Sequence, residues 1–539
     1  MPLPAALAPL RHSLFRSLWL ANVTVSLGVW MQSTSAGWLM TSLSPNALMV
    51  SLVQAATVLP VFLLVLPSGA LADIIDRRRM LLGTQLWMLT AATVLTLMTV
   101  AHATTAWSLL ALTFAIGAGI AMNGPAWGTV MAESVPRADL VQAVALNGVG
   151  FNIARAVGPA LAGFLLIFSG PEVTFGINAV SYLAVIAALL AWRRPVVSSA
   201  LPPERLMGAI KSGVRFVRHT YSVQAAMARA ALYFMPCAAL WAMLPLVVRQ
   251  QLRLDSGAFG LLLGLMGVGG VTAGLILPNL RARFRRGQIV FFASLLSCAG
   301  MLVMSVSRHW LPASFAMVIF GLGWVSAASV AQASAQIASP PWVRSRALSI
   351  YQLSFNLALV IGTFFWGWLG TQIGLSSTLL AAGVSGVVLA VGARFFDIDR
   401  TDGIAGTPIP AIVPQAETIA PVLAPELTLQ RGRVMESQHY QIAAERKEAF
   451  LAVMADLREV RGRSGAVQWQ LGEDISNPEH WVELWWLETW GDHLREAGRM
   501  SETDKAILTA ALSFHVGTPL PPTRRFLTVT PQRSHAPAN

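Results

Sequence analysis

The chain has 539 residues, of which 55% are hydrophobic and only 12% charged, with a mean hydropathy of +0.59. Soluble globular proteins carry about 25% charged residues, so a mainly soluble enzyme or binding module is excluded. The net charge of +12 does not point to nucleic acid, because the basic residues lie between apolar runs and not in a patch interleaved with aromatics.

From the N-terminus onward, apolar runs recur. A hydrocarbon core about 30 Å thick needs roughly 20 mostly apolar residues per helix, and twelve such stretches are expected. They lie at 15–40, 48–72, 80–101, 106–131, 142–168, 172–192, 222–248, 257–280, 288–306, 311–336, 344–371 and 375–396. No A-x-A site ends the first run, so a cleaved signal peptide is not expected. Cys237 and Cys298 fall inside apolar runs, which argues against a disulfide framework.

The loops between these runs alternate in charge. One side holds Arg11, Arg16, the triplet Arg77 to Arg79, Arg137, the cluster from Arg193 to Arg218, Arg281 to Arg286, and Arg344 and Arg346, whereas the other holds only Arg249, Arg253 and Arg308. By the positive-inside rule both termini are expected in the cytoplasm of a bacterial-type inner membrane. Residues 193–221 separate two groups of six runs and read either as an amphipathic linker on the membrane surface or as a plain loop. Sliding the chain on itself by 204 residues aligns Gly117 with Gly321, Phe151-Asn152 with Phe355-Asn356, Gly158 with Gly362 and Gly163 with Gly367. Two parallel six-helix halves, 1–192 and 222–396, are therefore expected, with a midplane site between them.

Polar residues inside apolar runs tend to face the bundle interior. Steps of four, three and four put Gly148, Asn152, Arg155 and Pro159 on one helical face. Arg155 has Leu359 as its repeat counterpart, so symmetry does not account for it. Two readings stand: a gating or anion-recognising residue with Asn152 beside it, or an arginine that snorkels or pairs with Glu133 or Asp139. Gln32, Gln54, Asn123, Tyr233, Gln352 and Asn356 are further cavity candidates, or simply groups that join helices. Gly267-Val268-Gly269-Gly270 lacks the strand and helix that phosphate binding requires and reads as helix packing. No zinc-protease, C-x-x-C or Walker pattern is present, so no metal, cofactor or enzymatic activity is expected.

After the last run, a Pro-rich stretch at 397–428 reads as an extended linker. In the remainder, 429–539, strands are expected at 434–442, 466–471, 481–488 and 525–529, with helices at 445–461 and within 490–514. This β-α-β-β-α-β order is the ferredoxin-like split pattern. Trp469, Trp481, Trp485, Trp486, Trp490, His439, His493 and His515 either line a pocket for a small aromatic or haem-like ligand or fill the core between sheet and helices.

The segment Gly69-Ala-Leu-Ala-Asp73-Ile-Ile-Asp76-Arg77-Arg78-Arg79 resembles the major facilitator signature G-x-x-x-D-R-x-G-R-R. Ile74 replaces the usual basic residue and Asp76 the second glycine, as in the branch holding macrolide and enterobactin exporters. The resemblance implies that Gly69, Asp73, Asp76 and the arginines form a conformational switch loop. Gly158-Pro159-Ala-Leu-Ala-Gly163 is similar to the family's antiporter motif, with Ala162 in place of one glycine of the adjacent pair. Across the spans the chain resembles transmembrane secretion effectors, and 433–530 resembles antibiotic-biosynthesis monooxygenases. The resemblance implies a twelve-helix all-α membrane fold with an α+β tail. Its implied work is export of a small amphipathic compound, drug- or siderophore-like, with the bilayer and the substrate as partners. Proton coupling, with Asp73 and Glu133 as titrating groups, and a homodimer through the tail are implied in the same way. The alternative is a bifunctional protein whose tail modifies or senses a small ligand.

Overall fold

The computed structural model describes residues 5–74, 76–136, 139–192, 206–340, 342–400, 433–517, 519 and 521–528. Its Cα packing divides into two units. The first holds residues 1–206, 226–333 and 351–399, and the second holds 207–225, 334–350 and 400–539.

Among the described residues, eleven helices are long and apolar enough to cross a membrane. In chain order they are α1 (Ser13–Leu43), α2 (Ala47–Ile74), α3 (Arg77–Val100), α4 (Ala106–Glu133), α5 (Leu140–Ala191), α7 (Tyr221–Leu246), α8 (Ser256–Arg283), α9 (Arg286–Val306), α10 (Trp310–Ile337), α11 (Arg344–Ile373) and α12 (Leu375–Gly392). Two were expected where α5 runs for 52 residues. The helix is broken at Gly170, where φ is 74° and ψ 177°, and Pro171 comes next. Only glycine adopts that conformation cheaply, and the proline restarts a helix whose first amide needs no partner.

Local chemistry sets several other ends. Thr105 and Ser108 close a reciprocal capping box on α4, and Asp255 accepts from the Ala258 amide at 2.9 Å to start α8. Gly374, at φ 82°, makes the turn between α11 and α12. Leu97, Phe168, Val180, Leu275 and Val388 are all more than 60% exposed. Large apolar side chains pointing outward in such numbers suit a lipid-facing surface, while Phe15, Leu18, Leu81, Trp127 and Leu189 pack together among α1, α3, α4 and α5.

Small residues bring helices of the two sequence halves together. A Cβ added at Gly163 on α5 would sit 2.6 Å from the Gly260 Cα on α8, and one at Gly267 would sit 2.8 Å from the Ala156 Cα. Similarly, a Cβ at Gly367 on α11 would lie 2.8 Å from the Ser51 side chain on α2. The repeat pair Gly163 and Gly367 thus serves equivalent crossings, and Gly267 belongs to helix packing. Such close backbone approach is the usual way apolar helices associate in lipid.

In the second unit, β1 (Val434–Gln441), β2 (Gln468–Glu473), β3 (His480–Leu487) and β4 (Arg524–Leu527) form an antiparallel sheet in the order β2-β3-β1-β4. Helices α13 (Lys447–Ser464), α14 (Trp490–Arg499) and α15 (Glu502–Leu512) accompany it. Tyr440, Phe450, Leu457 and Trp481 fill its core. The fourth helix of this unit is α6 (Leu206–Arg218), within the stretch read as a linker. Its Arg215 donates to the Gly465 carbonyl at 2.6 Å and its Lys211 pairs with Glu488 at 2.8 Å. Trp342 donates its indole N–H to the Arg499 carbonyl at 3.2 Å. The tail domain is therefore packed with the 207–225 and 334–350 segments. The Pro-rich stretch from 401 to 428 lies outside the described residues.

Candidate functional site

Arg155 lines a cavity in the first unit together with Trp30, Gln54, Pro159, Trp241 and Phe259. The space in it that the centre of a water-sized sphere can occupy is about 40 Å³. Its wall takes residues from α1, α2 and α5 on one side and from α7, α8 and α10 on the other. Among the described residues, the Arg155 guanidinium has no hydrogen-bond or ion-pair partner. Asp139, one of the partners considered for it, is bound by His12 at 2.9 Å. Glu133, the other, has its side chain outside the described residues.

Around that charge the cavity is aromatic. Trp30 meets Trp241 edge-on with centroids 6.1 Å apart, and Trp241 stacks on Trp324 at 5.4 Å. Trp38 stacks on Phe259 at 5.7 Å. Gln54 accepts from the Trp241 indole N–H at 3.0 Å, which holds the ring against the cavity. An unpaired guanidinium framed by indoles can take an anionic group at one end of a ligand and an apolar or aromatic body at the other.

The remaining predicted residues separate into groups. Pro159 lines the cavity, and Gly158 packs under Trp30, where an added Cβ would approach the Trp30 Cβ to 2.7 Å. Gln32 is buried and accepts from the Asn178 amide, joining α1 to the second arm of α5. Asn123 accepts from Gln85 at 3.2 Å and joins α3 to α4. Tyr233 is buried against Ser297 at 2.8 Å. These three join helices and are not among the cavity's lining residues. Gln352 and Asn356 are half-buried on α11 and are likewise not among them. Asn152 lies on α5, and Gly69 and Asp73 on α2, at positions whose side chains lie outside the described residues.

In the switch segment, Asp76 is the N-cap of α3 and accepts from the Arg79 amide at 3.1 Å. Arg78 donates to the carbonyls of Leu189 and Leu190 at 2.8 and 2.7 Å, satisfying the C-terminal end of α5. Arg77 and Arg79 begin the same helix.

Sequence reading missed the tryptophans. With 18 in the chain, nothing in their spacing separates Trp30 and Trp241 from lipid-facing aromatics such as Trp107, which is 67% exposed.

The tail's aromatic and histidine residues are engaged within the domain. Trp469 donates to Glu483 at 3.1 Å, His493 pairs with Glu436 at 2.7 Å, and His515 accepts from the Gln441 amide at 3.0 Å. Glu436, His493 and Glu496 offer ligand atoms within 4.8 Å of one another. Arg461 already holds Glu496 at 3.1 Å and Glu483 at 2.9 Å. Burial, and the nearby Glu436 carboxylate, push the Glu496 carboxyl upward even so.

Residues 4–534 match the family described as transmembrane secretion effector. The chain is 22% identical over 377 residues to the staphyloferrin A transporter of Staphylococcus aureus, covering 69% of this chain and 93% of that protein. It is 26% identical over 302 residues to a major facilitator type transporter of Sinorhizobium fredii, covering 54% and 72%. A bacterial homologue of the human lysosomal transporter Spinster, solved inward-facing and unoccupied, aligns with a TM-score of 0.57 at 14% identity over 74% of this chain and 97% of its own. A peptide transporter aligns with a TM-score of 0.59 at 13% identity, over 71% and 93%. With a cavity shared between helix groups, a repeat in sequence and a family match along nearly its whole length, the chain belongs to the transmembrane secretion effectors, multi-pass membrane transporters of the major facilitator superfamily and not enzymes.

Proposed function

We propose that the chain is a secondary active exporter of small amphipathic anions across a bacterial inner membrane, working by alternating access between two six-helix halves. The observation that carries this reading is Arg155, unpaired among the described residues, in an aromatic cavity walled by both halves. An uncompensated charge at membrane depth is costly and typically marks a substrate or ion pathway. Counting the two arms of α5 on either side of Gly170 separately gives twelve spans, and the arginine distribution favours cytoplasmic termini. A ferredoxin-like tail is the reading that best fits its sheet order. The name of the staphyloferrin A transporter favours a siderophore-like substrate over a cationic drug. Proton coupling and a switch role for Gly69, Asp73 and the Asp76 to Arg79 turn rest on kinship alone. A tail that dimerises or senses a ligand is the second reading, favoured by its packing with α6 and the 334–350 segment.

The test is uptake of labelled carboxylate siderophores, anionic drugs and cationic drugs into inverted vesicles, with and without a proton gradient. Gradient-driven uptake of anions by the wild type, lost in Arg155→Ala, is expected. Equal transport by Arg155→Ala, or transport of cations alone, overturns the assignment.

A further inference from the structure

A second basin is lined by the turn before α2 and its first residue, the segment that follows α7, the turn between α9 and α10, the end of α11 and the start of α12. It holds about 1480 Å³ of atom-free space open to solvent, and its lining includes Asn46, Gln250, Gln251, Arg253, Arg308 and Ser376. No acidic residue lines it among the described residues. The nearest acid along the chain, Asp255, is engaged by the Ala258 amide of its own helix. One of its two cations is held in place. Arg308 donates to the Ser376 hydroxyl at 3.2 Å, and Ser376 in turn donates to Gln251 at 3.1 Å. Gln251 is fixed by the carbonyls of Met304 and Ser307 at 2.8 and 2.9 Å. Arg253 sits at φ 57°, a left-handed conformation uncommon for a residue with a side chain. It has no hydrogen-bond or ion-pair partner among the described residues.

The sequence makes this concentration unusual. Only Arg249, Arg253 and Arg308 lie in the loops on the arginine-poor side, where topology disfavours cations. Two of the three line one basin, and the third stands one turn deeper along the chain. Arg249 donates to the Thr41 hydroxyl at 2.8 Å and lies over the Trp38 ring at 5.7 Å. Trp38 stacks on Phe259, which lines the Arg155 cavity. Arg249, four residues before Arg253 in the chain, is thus joined through Trp38 and Phe259 to the wall of the cavity that Arg155 lines. The basin's wall is closely packed, since a Cβ at Gly370 would meet the Met243 sulfur at 3.0 Å and Ala47 at 3.2 Å.

We propose that this basin is an anion-binding vestibule for a small polycarboxylate, and that Arg249 gates its connection to the Arg155 cavity. The proposal rests on the reading of the transported compound as an anion and adds a second, outer station. Two guanidinium groups without competing carboxylates suit a ligand with more than one carboxylate, and the basin's amides and hydroxyl supply further hydrogen bonds. Because residues 45–47 come from one helix group and 250–253, 308 and 370–376 from the other, rocking of the halves would change the spacing of the basin's walls.

The probe is benzene-1,3,5-tricarboxylate, whose three carboxylates match the basin's guanidinium and amide groups, titrated calorimetrically into the full-length protein in phosphatidylcholine nanodiscs. The double variant Arg253→Gln/Arg308→Gln should lose at least about tenfold in affinity, the loss expected for one charge-assisted contact. Arg253→Lys/Arg308→Lys should recover most of it, and the neutral triamide should not bind. Arg155→Gln should leave this outer binding within about threefold. If affinity instead falls in Arg155→Gln and not in the double variant, the vestibule is overturned while the anion cavity stands. Failure of the wild type to bind the probe, or binding equal in all variants, also overturns it. Uptake into inverted vesicles judges the transport reading separately.

Discussion

A half-buried arginine in the membrane unit and a buried one in the tail show how differently the two handle charge. Arg461 in the tail is 5% exposed and saturated, with Glu483 at 2.9 Å, Glu496 at 3.1 Å and the Trp485 ring 3.6 Å from its guanidinium carbon. Glu483 is itself completed by the Tyr440 hydroxyl at 2.9 Å and the Trp469 indole at 3.1 Å. Arg155 has an aromatic surround of similar kind and no ionic partner among the described residues. A saturated buried ion fixes a fold, whereas an unsaturated one holds a place for something that arrives from outside.

The sharpest test of that contrast is a pair of apolar replacements in the full-length protein. Arg461→Met leaves two carboxylates buried without a counter-charge, and the tail should lose about 3–5 kcal/mol of stability. A fluorotryptophan at buried Trp481, followed by ¹⁹F NMR through a urea titration, reports that loss. Arg155→Leu should leave the thermal midpoint of the membrane unit unchanged or raised, because it removes a charge that nothing described neutralises. A tail that tolerates Arg461→Met, or a membrane unit that unfolds with Arg155→Leu, would reverse the assignment of the two roles.

The sequence made Arg155 stand out because charge inside an apolar run is rare, and it made Arg461 look ordinary because it sits in a charged helix. What pairs with each was not legible, since Arg461 meets partners 22 and 35 residues away on another strand and helix. Spans and strands were legible from period and length. β1 and β3 came within about a residue of their expected bounds, because alternation of apolar and polar residues has only one register that buries the core. The break in α5 was placed between two expected spans by Gly170-Pro171, yet the helix resumes without a loop. Glutamine and asparagine were the least legible class. Gln54 reaches the cavity and Gln32 does not, and both are simply polar residues in apolar runs until the neighbouring helix is known.

A smaller effect separates two roles at Asp76. As N-cap of α3 it accepts the Arg79 amide, so Asp76→Ala should cost about 1 kcal/mol of helix stability and Asp76→Asn much less. If the switch reading implied by family resemblance is right, Asp76→Asn should keep the thermal midpoint of the wild type and still slow transport in the vesicle assay. Transport that tracks the midpoint through both variants would reduce Asp76 to a cap.

The smallest effect concerns pH, and it again sets a self-contained tail against a membrane unit that awaits a ligand. His439 lies 3.2 Å from His480 across the β1–β3 pair, with the rings stacked. Partial burial, the neighbouring His480 and Arg524 lower its pKa from 6.5. A base whose folded pKa lies below its unfolded one binds fewer protons when folded. Its contribution to stability is therefore present above pH 6.5 and is lost as pH falls through the folded value. The group is largely solvent-screened, so the change should stay well under about 1 kcal/mol. The tail's urea midpoint should fall between about pH 7.5 and 5.5, and His439→Gln should flatten that slope while leaving anion uptake at about pH 7.5 intact. A slope that survives the substitution would place the tail's acid sensitivity outside the His439–His480 pair.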